Sequence, residues 1–148
     1  IRETGDGIEP AGDLFIKSSS LHGVEIGGDL IPRLIDELPV IAVAAAFAEG
    51  RTVIKDAEEL KVKESNRINA METELRKAGV DVIATDDGLV INGGKSLHGA
   101  IFETYHDHRI AMSMAVLAQA ADGISRIENP QCINISYPDF FETLSSVQ

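Results

Sequence analysis

Cysteine is almost absent from this sequence: Cys132 stands alone among 148 residues. No internal disulfide can form, no cysteine-based zinc set exists, and a reducing cytoplasm is the natural compartment. Cys132 itself reads as a buried spectator thiol. Basic residues are also scarce, 13 Lys and Arg against 24 Asp and Glu, for a formal charge of −11. So acidic a surface repels nucleic-acid backbones and anionic membranes, and any anionic ligand must be held by a local basic pocket. No apolar run approaches the ~20 residues of a membrane span, and no charged-then-apolar leader opens the chain. It opens without Met, on IRETGDGIEPAGDL, a stretch interrupted by glycine and proline that reads as the middle of a longer protein. What the chain does have is a hydrophobic content of 44%, enough to fill the core of one domain spanning 1–148.

The periodicities predict an α/β order. Short strands are expected at 13–19 and 21–27, the second ended by Gly27-Gly28 and Pro32. An Ala-rich helix over 36–50, apolar on most faces, carries Pro39 in its first turn and Gly50 as its stop, and is expected to be deeply buried. A strand at 51–56 follows. The segment 65–79 places Ile68, Met71 and Leu75 at helical spacing, with Ser65 as candidate cap and Gly79 as stop. A hairpin is expected over 80–93, turning at Asp87-Gly88. After a strand at 97–104 come a second buried helix at 107–123, a strand at 124–129 and a short helix at 137–147.

This order repeats. HGVEIGG is followed by Asp36, an Ala-rich helix, Gly50 and RTVIKD. HGAIFET is followed by Asp107, an Ala-rich helix, Gly123 and ISRIEN. The two units, roughly 21–93 and 97–148, read β-α-β-α, and the first continues into the hairpin. Stacked side by side, they bury their Ala-rich helices in a shared interior. The orphan strand 13–19 is then the tail of a preceding third unit.

The chemically loaded residues fall at helix entrances: Asp36, the run Lys63-Glu64-Ser65-Asn66-Arg67, and Asp107-His108-Arg109. Aspartate is favoured there by the unpaired N–H groups, so Asp36 and Asp107 have a purely structural reading as caps. Arginine is not favoured, because a cation in the first turn opposes the helix dipole by ~0.3–1 kcal/mol. Arg67 and Arg109 therefore need compensation. Neighbouring acids are one source, but two arginines at matching helix entrances point to the other, a bound anion gripped jointly by guanidinium and backbone N–H groups with Asp107 as cap and orienter. If an anion is shared, Arg67 and Arg109 should approach one another. His106 and His108, two residues apart, make a poor metal chelate, and His22 and His98 precede glycines at equivalent strand positions, so no metal site is expected.

DELPVIAVAAAFAEG, LKVKESNRI, YHDHRIAMSMAV and SYPDFFETL resemble successive motifs of the carboxyl-terminal lobe of the 3-phosphoshikimate 1-carboxyvinyltransferases, or 5-enolpyruvylshikimate-3-phosphate (EPSP) synthases. The resemblance covers essentially the whole chain. It implies an enolpyruvyl transferase-like lobe, an inverted α/β barrel of βαβαββ units of which about two of three are present, and a second lobe closing a cleft. It also implies transfer of the enolpyruvyl group of phosphoenolpyruvate to the 5-hydroxyl of shikimate 3-phosphate, in a cytoplasmic enzyme of aromatic amino-acid biosynthesis that is a monomer at full length and uses no cofactor. Matched motif by motif, Asp36 takes the place of the catalytic aspartate at the shikimate 5-hydroxyl, Lys63 that of a 3-phosphate contact, and Glu64 that of the acid–base glutamate. Arg67 and Arg109 match the arginines that grip phosphoenolpyruvate, and His108 has an orienting role.

The chain departs from some family members in two places. Ile135 stands where a phosphoenolpyruvate-binding lysine precedes the closing Tyr-Pro, and Glu59 where a shikimate-binding asparagine precedes the Lys63 position. Rival readings are the sister transferase acting on a uridine-diphosphate amino sugar and a non-catalytic anion-binding domain, which would need neither Asp36 nor Glu64. A fragment of this kind is expected to fold without catalysing.

Overall fold

The computed structural model describes residues 2–3 and 11–147. In chain order, β1 (Arg2–Glu3) pairs antiparallel with β2 (Gly12–Asp13). β3 (Glu25–Ile26) leads through a 3₁₀ turn into α1 (Ile31–Leu34) and α2 (Leu38–Phe47), and the chain returns as β4 (Gly50–Ile54). A second 3₁₀ turn, Glu58–Val62, precedes α3 (Arg67–Lys77) and the hairpin of β5 (Asp81–Ala84) and β6 (Leu89–Gly93). Then come β7 (Ile101–Phe102), α4 (His108–Ala120), β8 (Arg126–Ile127), a 3₁₀ segment at Pro130–Ile135 and α5 (Phe140–Ser146).

The repeat read from the sequence recurs in the backbone pairing. β3 runs parallel to β4 with Glu25 opposite Val53, and β7 runs parallel to β8 with Ile101 opposite Arg126. His22 bridges Glu49 and His98 bridges Asp122, each in parallel sense. The glycine after each histidine is required by close approach: a Cβ on Gly23 would lie 2.2 Å from the Arg51 carbonyl oxygen, and one on Gly99 2.3 Å from that of Ile124. Gly50 and Gly123 serve a different need, with φ of 92° and 90° where the chain turns into the return strand. Each βαβ crossover places its helix against the same interior.

That interior is filled by aliphatic side chains from every layer. Sheet order is β3-β4-β6-β5, parallel at the first pair and antiparallel thereafter. Ile54, Leu89, Ile91 and Val82 point from it into one cluster with Ile68, Met71 and Leu75 of α3 and Ile110, Met114 and Leu117 of α4. Burying each such side chain contributes about 1.5–3 kcal/mol. Ala42, Ala45 and Ala46 on α2 are small enough to let that helix lie directly against α4 and β6.

Several elements differ from expectation for identifiable reasons. The apolar stretch at 14–16 forms no strand, and Leu14, Phe15 and Ile16 are exposed. Of the expected strand 13–19, only Asp13 is paired among the described residues, opposite Arg2. Pro32 does not end a strand but sits in the first turn of α1, where its missing N–H costs nothing. α2 is not buried all round: Val40 and Ala44, one turn apart, face outward. α3 is capped by Asn66, whose side chain accepts from the Asn69 N–H at 3.2 Å, and not by Ser65.

The two glycine roles are separable by substitution. Gly99→Ala should lower stability by about 1–3 kcal/mol through backbone overlap, whereas Gly123→Ala, with nothing within 4 Å of the new Cβ, should cost only about 1 kcal/mol of left-handed strain. Urea unfolding of both variants checks this, and equal losses would contradict the close-approach role.

Candidate functional site

Helix α3 begins with a cation in the position where a cation is disfavoured, and the structure shows what compensates it. Arg67 is the first residue of α3, and its side chain is only 1% exposed. Its Nε donates to Asp107 Oδ2 at 2.8 Å, Nη1 to Asp36 Oδ1 at 2.9 Å, and Nη2 to Glu64 Oε2 at 2.6 Å. Three carboxylates from three segments thus surround one guanidinium. Neighbouring acids thus offset the unfavourable placement of Arg67 at the helix entrance.

Asp107 is the hub of this arrangement. It is fully buried, and besides Arg67 it accepts the Ser65 hydroxyl at 2.9 Å and the backbone N–H groups of Arg109 at 2.9 Å and Ile110 at 3.4 Å. The expected helix cap is therefore also the acid that neutralises Arg67. Burial alone would push the Asp107 carboxyl up, but the Arg67 hydrogen bond and charge, the Ser65 hydroxyl and the Arg109 N–H hold it below its ordinary value.

Asp36 does not cap α2. The cap position belongs to Glu37, which makes no capping bond, so the Asp36 carboxylate is free to reach Arg67 and to sit 3.8 Å from Lys63 Nζ. It is about half exposed. Burial opposes its ionisation, but the Arg67 bond and the charges of Lys63 and Arg109 prevail, so its pKa lies below the usual carboxylate range. Lys63 is bonded at 2.8 Å to Glu59. The Glu59 bond, against some burial, raises the Lys63 pKa.

Arg109 donates through Nη1 to Glu37 Oε1 at 3.1 Å. The two arginines therefore end on adjacent carboxylates, Glu37 and Asp36. Arg109 and Asp36 also line a cavity of about 250 Å³ whose walls are Val40, Met112, Tyr137 and Phe140. His108, the first residue of α4, is half-buried and makes no side-chain hydrogen bond among the described residues. Ile135 is 82% exposed at the end of its 3₁₀ segment. Among the described residues, no three His, Cys, Asp or Glu side chains are placed to hold a metal ion, and no helix is long and apolar enough to cross a membrane.

The turn that delivers Asp107 is strained. Tyr105 and His106 have φ of 54° and 57°, each costing roughly 1–2 kcal/mol in a residue with a Cβ. Sequence reasoning missed what lies behind it: Glu74 of α3, fully buried, accepts the Tyr105 hydroxyl at 2.7 Å and both Lys77 contacts at 2.8 and 2.9 Å. Burial and the Glu74 carboxylate push the Tyr105 hydroxyl up to about 12. Glu59 and Glu64 stand only four and three residues from their partners Lys63 and Arg67, although neither pair lies within an α-helix. The pairing of Arg109 with Glu37, far apart in sequence, left no such signal.

Comparison with known proteins matches residues 4–144 to the model of the EPSP synthase (3-phosphoshikimate 1-carboxyvinyltransferase) family. The chain is 60% identical over 135 residues to the 3-phosphoshikimate 1-carboxyvinyltransferase of Thermoanaerobacter sp. (strain X514), covering 91% of this chain and 32% of that protein. It is 52% identical over 141 residues to that of Geobacillus thermodenitrificans (strain NG80-2), covering 94% and 33%. A solved structure of EPSP synthase from Acinetobacter baumannii superposes with a TM-score of 0.92 at 40% identity, covering 98% of this chain and 34% of that one. The chain spans about a third of the length of these relatives.

The buried pair predicts an acid limb in stability. Because the Asp107 pKa is lowered on folding, its contribution is fully present above the unfolded value near 4 and is lost as pH falls through the folded value. Asp107→Asn should remove this limb and lower stability at neutral pH by about 3 kcal/mol, since Arg67 is left without its buried counter-charge. Urea midpoints between neutral pH and about pH 3 measure it. An acid limb unchanged in the variant would assign the effect to other carboxylates.

Proposed function

The chain belongs to the EPSP synthase family, and on that premise we propose that it is part of an enzyme that transfers the enolpyruvyl group of phosphoenolpyruvate to the 5-hydroxyl of shikimate 3-phosphate, releasing phosphate. The observation that carries this reading is the meeting of Asp36, Lys63, Glu64 and Arg67 at one point, with Arg109 beside it. They come from three segments, Asp36, the run Lys63-Glu64-Ser65-Asn66-Arg67 and Arg109, and are the ones that the family motifs single out.

The reaction adds the acceptor oxygen to C2 of the donor while C3 takes a proton, then eliminates phosphate as C3 gives the proton back. It needs cations for the phosphates and carboxylates and an acid–base group near C3. In this reading Asp36, held ionised by Arg67 and Lys63, accepts from the 5-hydroxyl, and Lys63 meets the 3-phosphate. Glu64 exchanges the C3 proton, Arg67 and Arg109 hold the donor, and His108 orients the group at the entrance of α4.

The resident carboxylates set an order for donor binding. Asp36 and Glu64 are about half exposed and can turn away from Arg67, whereas Asp107 is fully buried and cannot. An incoming anion therefore replaces the first two and leaves the third, so that the guanidinium keeps its position while exchanging partners. No metal or organic cofactor is needed for this chemistry. The enzyme is proposed to be cytoplasmic and monomeric, with the remaining wall of the cleft supplied outside these 148 residues, so that this chain alone does not turn over.

Arg109 gives the cleaner test of the donor site, because Arg67 also neutralises Asp107. In the full-length enzyme, Arg109→Ala should raise KM for phosphoenolpyruvate by about tenfold or more and leave KM for shikimate 3-phosphate within about twofold. Steady-state phosphate release with each substrate varied in turn measures both. Equal rises would contradict a donor contact.

A further inference from the structure

We infer that Glu74 and Tyr105 form a clamp that positions Asp107, and through it Arg67 and the entrance of α4, from behind the site. Arg67 and Glu74 lie seven residues apart on α3, two turns along one face. Both reach the same loop. Arg67 takes Asp107, while Glu74 takes the Tyr105 hydroxyl at 2.7 Å and the Glu103 backbone N–H at 3.0 Å. One helix face thus reads the 103–107 turn at three points, with a cation at one end and an anion at the other.

The clamp does more than satisfy a buried carboxylate. Lys77 already neutralises Glu74, contacting both of its oxygens. The loop is what needs holding: Tyr105 and His106 are consecutive left-handed residues, neither of them glycine, and such backbone persists only where surrounding contacts over-determine it. The Tyr105 hydroxyl anchors the first of the two. Thr104 is fixed as well, its hydroxyl directed to the Asn129 carbonyl at 3.4 Å and its carbonyl accepting the Asp107 N–H at 2.8 Å. With the turn held, the Asp107 carboxylate faces Ser65, Arg67 and the first N–H groups of α4 together. Glu74 and Tyr105 are positioning residues that touch no substrate; their effect on donor binding rests on the proposed enolpyruvyl transfer, while their effect on Asp107 does not.

The test uses Tyr105→Phe in the full-length protein, which deletes one hydroxyl and keeps the ring, with Glu74→Gln as a second variant. Two readouts are taken. The first is the Arg67 Nε–H resonance, which reports the Asp107 bond directly. It is expected to shift toward the position of a water-bonded guanidinium and to exchange with solvent about tenfold faster. The second is kinetic: KM for phosphoenolpyruvate is expected to rise about fivefold, with KM for shikimate 3-phosphate unchanged. A lowered Tm with the Arg67 signal and both KM values unmoved would overturn the clamp and leave Tyr105 a packing residue. A moved Arg67 signal in the variants, with the unsubstituted full-length protein turning over neither substrate, would uphold the clamp and overturn the enolpyruvyl reading.

Discussion

A guanidinium out of reach of water is the constraint around which this site is arranged. Arg67 is almost wholly buried, and Asp107, which meets its Nε, is buried completely. Removing both charges from water costs several kcal/mol per ion, and only close, fully bonded geometry recovers it. Each nitrogen of the Arg67 fork donates to a carboxylate, and the Asp107 carboxylate accepts from a hydroxyl and two helix N–H groups as well. The pair therefore ties the start of α3 to the start of α4, and the two ends of the repeat meet through it. Exposed acids could be exchanged for a ligand without disturbing that tie.

The repeat supplies the frame that makes such a pairing reproducible. Two parallel βαβ crossovers with the same His-Gly bridge and the same left-handed glycine bring two helix entrances to one side of the molecule. The small residues of α2 let α4 approach closely, and α3 packs beneath both. Charged side chains at those entrances then face one another without any long loop. The acidic composition has a local purpose here as well, because each cation of the site has its own carboxylate: Glu59 for Lys63, Glu64 and Asp36 for Arg67, Glu37 for Arg109.

Much of this was legible in the sequence because it rests on local signals. The Ala-rich helices, Ile68, Met71 and Leu75 on one face of α3, the glycine at the end of that helix and Asp107 as a cap all follow from periodicity and end chemistry. The α/β repeat was visible because two copies of one pattern carry more information than either alone. What stayed hidden was long-range. Ser65 looked like a cap and instead bonds a residue 42 positions away; Asp36 looked like a cap and instead binds Arg67. Nothing in Glu74 marks it as buried, since its partners Tyr105 and Glu103 come from the other unit.

The central claim is that Arg67 and Asp107 are coupled inside the fold and do not stand as independent neighbours. A double-mutant cycle on stability, using Arg67→Met, Asp107→Asn and the two together, measures that coupling directly. The account predicts an interaction of about 2–3 kcal/mol at neutral pH, with the double variant less destabilised than the sum of the single ones. A coupling near zero, each loss simply adding to the other, would contradict it.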